Sequence, residues 1–98
     1  MADEHLYIVT YDIGDSRRWR AVFRLMQGAG EWLQLSVFQC RLSRRRHAEL
    51  VQALSDVLKH DEDHLLIIDL GAADGLRPKI QSIGKSSFTP VERAPVIV

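Results

Sequence analysis

The sequence lacks three features that would each point to a different class of protein. Its single cysteine, Cys40, excludes an internal disulfide and a cysteine-rich zinc site. None of its apolar runs approaches the length that is needed to span a bilayer, so no membrane association is expected. The polar start MADEH is unlike a secretory signal. Together these absences predict a soluble protein of the cytoplasm.

Net charge is also lacking, because 13 basic residues balance 13 acidic ones. Taken alone, this balance argues against nucleic-acid binding. The distribution is uneven, since ten of the basic residues are arginine and most of these lie between Ser16 and His47, with Glu31 as the only acid in that span. An arginine-rich surface attracts phosphate even on a neutral protein, because the guanidinium fork matches phosphate oxygens. Ordinary solvation of helix faces would explain the same arginines, and both interpretations stay open.

The length of 98 residues predicts one small domain over residues 1–98. A hydrophobic content of 46% with 27% charged residues is typical of a soluble globular protein. A domain of this size buries a modest fraction of its surface, so a partner subunit would add burial.

Strand and helix patterns alternate along the chain. Residues that are β-branched, aromatic or alternating in polarity predict strands over Leu6–Asp12, Trp32–Leu42, Leu65–Leu70 and Lys79–Ile83. A first helix is predicted after a cap at Asp15 or Ser16, with the apolar face Trp19, Val22, Phe23 and Met26. A second is predicted after a cap at Ser43, with the inward residues His47, Leu50, Val51, Leu54 and Leu58.

Taken directly, these patterns give the order β-α-β-α-β-β. The ferredoxin-like order βαββαβ needs two strands between the helices, and Trp32–Leu42 is long enough to split, although its alternation shows no break. Either order gives an antiparallel α+β sheet with both helices on one face. The end Val96-Ile97-Val98 predicts a further strand at residues 94–98, at the edge of its own sheet or of a second subunit's sheet.

Asp12 is the acidic residue with the most chemical interest, because it ends the first strand, where a side chain can face a cleft. Magnesium commonly takes one or two carboxylates together with water and substrate phosphate. A single Asp is therefore a weak metal site, and two copies that meet across a two-fold axis would supply the missing ligand. The alternative is that Asp12 serves a turn or a cap.

Both predicted helices begin with arginines, where a cation opposes the helix dipole. A nearby phosphate would offset this conflict. Because the same local rule is broken twice, we predict a phosphate-facing surface. Its residues are Arg17, Arg18, Arg20, Arg44, Arg45 and Arg46.

Several stretches of the sequence form one ordered pattern along the chain. The first strand, YIVTYDI, ends in Tyr-Asp and precedes an arginine-rich helix, and LQLSVFQC carries a Ser-Val-Phe triplet. The acidic segment DEDH comes before the third strand, and the tail SIGKSSFTPVERAPVIV is similar to the ends of some members. In their order and spacing, over nearly the whole chain, these stretches resemble the CRISPR-associated Cas2 endonuclease family, the spacer-acquisition partners of the CRISPR integrase Cas1.

The resemblance implies a ferredoxin-like βαββαβ fold with an extra C-terminal strand, and a symmetric homodimer in which that strand extends the partner's sheet. It implies a Mg²⁺ or Mn²⁺ site at Asp12. It also implies binding of duplex DNA together with the integrase during spacer acquisition and, in some members, weak metal-dependent cleavage of DNA or RNA. The catalytic residues that it implies are Asp12, Tyr11, Arg18, Arg20, Ser36 and Phe38.

One position departs from the family pattern, because Trp32 stands where some nuclease members have an arginine. The departure argues against efficient phosphodiester cleavage but not against nucleic-acid binding. Three alternatives are a ribonuclease toxin of similar fold, a purely structural nucleic-acid-binding adaptor and a ferredoxin-like regulator. The regulator would need a pocket with convergent polar groups, which the sequence does not show.

Overall fold

The computed structural model describes residues 3–84. Its elements follow the order βαββαβ. They are β1 (His5–Asp12), α1 (Ser16–Ala29), β2 (Glu31–Gln34), β3 (Val37–Leu42), α2 (Arg44–Val57) and β4 (His64–Ala72). The strands form one antiparallel sheet in the order β2-β3-β1-β4. This is the ferredoxin-like α+β fold, and the predicted βαββαβ order with an antiparallel sheet is confirmed.

The predicted strand Trp32–Leu42 is two strands, β2 and β3, which pair with each other as a hairpin. The reversal lies at Leu35, whose φ of 39° is in the left-handed region that residues with a side chain rarely adopt. Alternation in polarity continues through Leu35 and Ser36, so the pattern does not mark the break. The alternative in which this segment splits is the correct one, and the direct order β-α-β-α-β-β is wrong.

The core lies between the sheet and the two helices. Alternate residues of the strands face the helices, as the pleat requires. The buried core comprises Tyr7, Val9, Tyr11, Val22, Met26, Phe38, Cys40, Leu42, Leu50 and Leu54. The predicted helix faces are confirmed except at Val51, which is 39% exposed. A helix turns by roughly 100° per residue, so Val51 lies at the margin of the face on which its neighbour Leu50 is buried.

Both helices begin at the predicted caps. The Asp15 carboxylate accepts a hydrogen bond from the Arg18 amide at 2.9 Å, and the Ser43 hydroxyl accepts one from the Arg46 amide at 3.2 Å. At the other end of α1, Gly30 has no space for a side chain. A Cβ there would overlap the Gln39 carbonyl oxygen and the Cys40 Sγ. Glycine at this position lets the hairpin pass close to the end of α1.

The predicted strand Lys79–Ile83 is wrong, because residues 77–84 belong to no strand or helix. The Arg41 guanidinium donates to the carbonyl oxygens of Ala73 at 3.0 Å and Leu76 at 2.9 Å, which holds the chain in a turn after β4. Pro78 also removes a backbone donor at the start of the segment. The predicted strand at residues 94–98 lies outside the described residues. Neither helix in residues 3–84 is long and apolar enough to cross a membrane.

Candidate functional site

Asp12 is the last residue of β1, where the chain turns towards α1. Its partner in the sheet register is His64, the first residue of β4. The Asp12 side chain is exposed, and within residues 3–84 its carboxylate has no hydrogen-bond or salt-bridge partner. A free carboxylate at the end of a buried strand is accessible to a cation or to a substrate.

Tyr11 points in the opposite direction, into the core. Its ring centroid lies 6.4 Å from that of Phe38 and 6.2 Å from that of Trp19. The Tyr11 hydroxyl is buried without a hydrogen-bond partner among the described residues. Burial raises the pKa of Tyr11 to about 12, so this hydroxyl stays protonated at neutral pH. The Tyr11 side chain therefore packs in the core against β1, and the next residue, Asp12, is exposed.

Ser36 and Phe38, the predicted residues of the hairpin, hold the same end of the sheet together. The Ser36 hydroxyl accepts a hydrogen bond from Trp19 Nε1 at 2.9 Å, and its carbonyl oxygen accepts one from the Tyr11 amide at 3.2 Å. Phe38 is fully buried and makes an edge-to-face contact with Phe23 at a centroid distance of 5.5 Å. Ser36 thus bonds to the residue before Asp12, and Phe38 is the register partner of Val9 in the core.

Arg18 lies among carboxylates. Its Nε donates to Asp63 Oδ2 at 2.7 Å, and its Nη2 donates to Asp63 Oδ1 and Glu62 Oε1, each at 3.2 Å. Asp15 Oδ2 lies 3.9 Å from Arg18 Nη1. The side chain of Arg18 is 24% exposed and that of Asp63 is completely buried. A two-pronged contact of this kind is the strongest geometry between arginine and a carboxylate.

Asp63 is ionised throughout the ordinary pH range. The hydrogen bond from Arg18 lowers the pKa of Asp63 to about 2, with help from the Lys59 and Gly14 amides and against the effect of burial. Asp63 is a site residue that the sequence pattern does not predict. The segment DEDH contains it, but its contact with Arg18 spans 45 positions, which no local pattern shows.

The other predicted arginines are exposed. Within residues 3–84, the side chains of Arg17, Arg20, Arg44 and Arg46 make no hydrogen bond or salt bridge. Arg45 Nε donates to Glu49 Oε2 at 3.2 Å, and both of these side chains are exposed.

The two groups of arginines lie at opposite ends of the sheet. The first group follows Asp12 at the end of β1, whereas the second follows Leu42, which pairs with His5 at the beginning of β1. We call these the Asp12 end and the His5 end. A strand of eight residues separates them by roughly 24 Å. The predicted phosphate-facing surface is therefore divided within one chain.

A cleft of 1290 Å³ occupies the His5 end. The second arginine group contributes Arg44 and Arg45 to its wall. The His5 and Asp69 side chains pair there at 2.9 Å, and the rings of Tyr7 and His47 stack at 4.6 Å. Asp12 does not line this cleft. The cleft combines cations, anions and aromatic surface at a distance from the exposed Asp12 carboxylate.

The described residues contain no group of three or more His, Cys, Asp or Glu side chains that could hold a metal ion. Asp12 offers the oxygen donor that Mg²⁺ and Mn²⁺ prefer. Residues 3–84 of one chain therefore fit such an ion only as part of a site, with further ligands from water, substrate or a second chain.

The order of the elements and of the strands defines this protein as a ferredoxin-like α+β domain. Residues 5–76 match the family model for CRISPR associated protein Cas2, and the chain belongs to that family. The family prediction is thereby confirmed.

Individual relatives agree with this assignment. A protein from Geobacter sulfurreducens named CRISPR-associated endoribonuclease Cas2 is 56% identical over 95 residues, which cover 97% of this chain and 99% of the relative. A Rhodospirillum rubrum protein named CRISPR-associated endoribonuclease Cas2 1 is 44% identical over 95 residues, or 97% of this chain and 92% of the relative. A Cas2 crystal structure matches with a TM-score of 0.74 at 29% identity and covers 91% of this chain and 95% of its own.

Proposed function

We propose that this chain is a spacer-acquisition protein of the cytoplasm that binds duplex DNA as a homodimer together with the CRISPR integrase Cas1. We further propose that it carries a metal-dependent endonuclease activity centred on Asp12. The observation that carries the second proposal is the exposed Asp12 carboxylate, which has no partner in residues 3–84. The relatives from two organisms are named endoribonucleases, so RNA is the first substrate to test for cleavage.

Asp12 is the residue that would hold Mg²⁺ or Mn²⁺. The ion, when bound, supplies positive charge to a phosphoryl oxygen and lowers the pKa of a bound water. Asp12 contributes one carboxylate, and a second chain would contribute another. Tyr11 and Phe38 support the strand behind Asp12, and Ser36 ties the adjacent hairpin turn to α1 and β1.

The sheet face opposite the helices supports the homodimer. Leu65 and Ile67 pack against the core, so the alternate residues Leu66, Ile68 and Leu70 face away from it. These three side chains are 49%, 45% and 45% exposed. A row of apolar side chains on one strand is typical of a surface that a partner covers. A second copy is the partner that would also bring a second Asp12 carboxylate.

The arginines without partners support nucleic-acid binding. Arg17, Arg20, Arg44 and Arg46 are exposed cations without internal ion pairs in residues 3–84, so phosphate would not have to displace a carboxylate from them. Each phosphate contact releases a counterion and adds about 0.9 to the salt slope of duplex DNA binding.

The test of the nuclease proposal is cleavage of labelled single-stranded RNA and duplex DNA with Mg²⁺, with Mn²⁺ and with EDTA. The proteins compared are wild type, Asp12→Asn and the matched control Asp74→Asn, which changes an exposed aspartate at the His5 end. We expect metal-dependent cleavage by wild type and Asp74→Asn and a loss on the order of 100-fold in Asp12→Asn.

Two results would contradict this proposal. Equal cleavage by wild type and Asp12→Asn would assign the activity to another site or to a contaminant. Duplex DNA binding without any cleavage by wild type would leave a purely structural nucleic-acid-binding adaptor. Trp32, which stands where some nuclease members of the family have an arginine, favours that second candidate.

A further inference from the structure

Asp63 connects three separate segments at the Asp12 end. Its carboxylate accepts hydrogen bonds from the Lys59 amide at 2.9 Å, from Arg18 Nε at 2.7 Å and from the Gly14 amide at 3.4 Å. These donors belong to the loop after α2, to the first turn of α1 and to the turn between β1 and α1. The side chain of Asp63 is completely buried although it is charged. Buried charges are retained only where they are paired and hydrogen-bonded, as this one is.

The contacts of Asp63 fix the turn that follows Asp12 and connect it to the start of β4. Gly14 follows Asp12 by two residues and donates to Asp63. His64 follows Asp63 directly and is the register partner of Asp12 in the sheet. The turn that presents the Asp12 carboxylate is therefore tied to the start of β4 by the sheet and by Asp63.

Arg18 is unsuited to hold phosphate in this arrangement. Its Nε and Nη2 donate to Asp63 and Glu62, and Asp15 is within 3.9 Å. The Lys59 ammonium also pairs with Glu62, at 2.8 Å. Two cations among three carboxylates leave the cluster with a net negative charge, which repels a phosphate. Arg17 and Arg20 on the same helix are exposed and have no such partners in the described part of the chain.

We propose that Arg18 and Asp63 are positioning residues that hold the Asp12 turn in place, and that Arg18 does not contact the nucleic acid. This inference rests on the proposed function of Asp12. It assigns a role to Asp63 and replaces the predicted role of Arg18 as a phosphate ligand.

The first test is the salt dependence of duplex DNA binding by Arg18→Gln and Arg20→Gln. We expect Arg20→Gln to lower the slope by about 0.9 and Arg18→Gln to leave it unchanged, because only Arg20 is available to phosphate. The double variant Arg18→Gln/Asp63→Asn removes both charges, so that no unpaired charge is buried if Arg18→Gln alone fails to fold. An equal loss of slope in the Arg18 and Arg20 variants would overturn the inference.

The second test measures the environment of the Gly14 amide in the Asp12 turn and the rate of cleavage. In Asp63→Asn we expect the NMR signal of the Gly14 amide to shift and the cleavage kcat to fall by about 10- to 100-fold with little change in KM, as for supporting residues around other metal sites. Asp61→Asn is the control, because its side chain is 78% exposed and its only ion pair within residues 3–84 is with Lys59, at 3.8 Å. We expect this control to behave as wild type.

An unshifted Gly14 signal together with wild-type cleavage in Asp63→Asn would overturn the positioning role. If wild type neither binds nor cleaves nucleic acid, the proposed function fails. The Gly14 signal still decides in that case whether Arg18 and Asp63 hold the turn.

Discussion

At the Asp12 end of the sheet the arginines of α1 lie beside an acidic loop, whereas at the His5 end those of α2 lie along an open cleft. The two helices begin alike, each with a capping side chain and three arginines within its first turns. At the first, Asp15, Glu62 and Asp63 surround the middle arginine, Arg18. At the second, Glu49 is the only carboxylate paired with an arginine of the group in residues 3–84.

The comparison shows that a cationic helix start has two different uses in one chain. Arginine opposes the dipole at both helix starts. At α1 the fold places carboxylates beside Arg18, which offset this unfavourable interaction and hold the arginine in structural ion pairs. At α2, Arg44 and Arg46 make no hydrogen bond or ion pair within residues 3–84, although four carboxylates line the cleft at that end, so both cations stay available to an outside anion. The number of arginines in a segment is therefore a poor measure of its phosphate-binding capacity.

The largest expected effect is a loss of duplex DNA affinity when the arginines of the His5 end are changed. Changing Arg44, Arg45 and Arg46 to Gln should lower duplex DNA affinity at low ionic strength on the order of 100-fold, because three phosphate contacts are lost. Fluorescence anisotropy with a labelled duplex measures this. The triple Lys variant is the control, because it keeps the charges. Unchanged affinity in the Gln variant would remove the His5 end from the binding surface.

A smaller effect is expected on the free energy of unfolding, with opposite signs for variants of Arg18 and Arg44. Arg18→Ala should lower the free energy of unfolding, because it leaves the buried Asp63 carboxylate without its main partner. Arg44→Ala should raise it by about 0.5 kcal/mol, because it removes an exposed cation from a helix N-terminus. Urea denaturation followed by circular dichroism measures both. Equal changes in the two variants would contradict the difference drawn between the ends.

Low pH should lower the stability of the Asp12 end, because it protonates Asp63. The folded-state pKa of Asp63, about 2, is below its ordinary value of 3.8, so the unfolded state binds the proton first. The contribution of Asp63 to stability is therefore complete above about pH 4 and is lost as the pH falls towards 2. In Asp63→Asn the fall in stability over this range should be shallower than in wild type. Equally steep losses of stability in the two proteins would show that Asp63 is not the source of this acid sensitivity.

The smallest expected effect tests the ion pair between Arg45 of the second arginine group and Glu49. Glu49→Gln removes a carboxylate that pairs with Arg45 and should raise duplex DNA affinity by less than about fivefold, because exposed pairs of this kind are weak. The same anisotropy assay measures the change, with Asp56→Asn on the same helix as the control. A fall in affinity would mean that Glu49 helps to bind DNA.

The sequence predicted those features that depend on neighbouring residues. The caps at Asp15 and Ser43 and the buried positions Val22, Met26, Leu50 and Leu54 follow from helical spacing. The hairpin break was not marked, because Leu35 takes a left-handed conformation without the usual glycine. Alternation in polarity ran through the break unchanged.

Long-range contacts explain the rest of what was missed. Asp63 reaches Arg18 across 45 positions, and no spacing within one element reports such a pair. The division of the arginines between two ends follows from β3 running antiparallel to β1, which requires the hairpin that was not located. Asp12, by contrast, could be singled out because a strand end next to a turn is a local feature.

The most direct test of this account compares the salt slopes of two triple variants on the same duplex DNA. One changes Arg17, Arg18 and Arg20 to Gln, and the other changes Arg44, Arg45 and Arg46 to Gln. The account predicts slopes lower than wild type by about 1.8 for the first and about 2.7 for the second, because Arg18 is not available to phosphate. Equal losses of about 2.7 would contradict it, since Arg18 would then contact the nucleic acid.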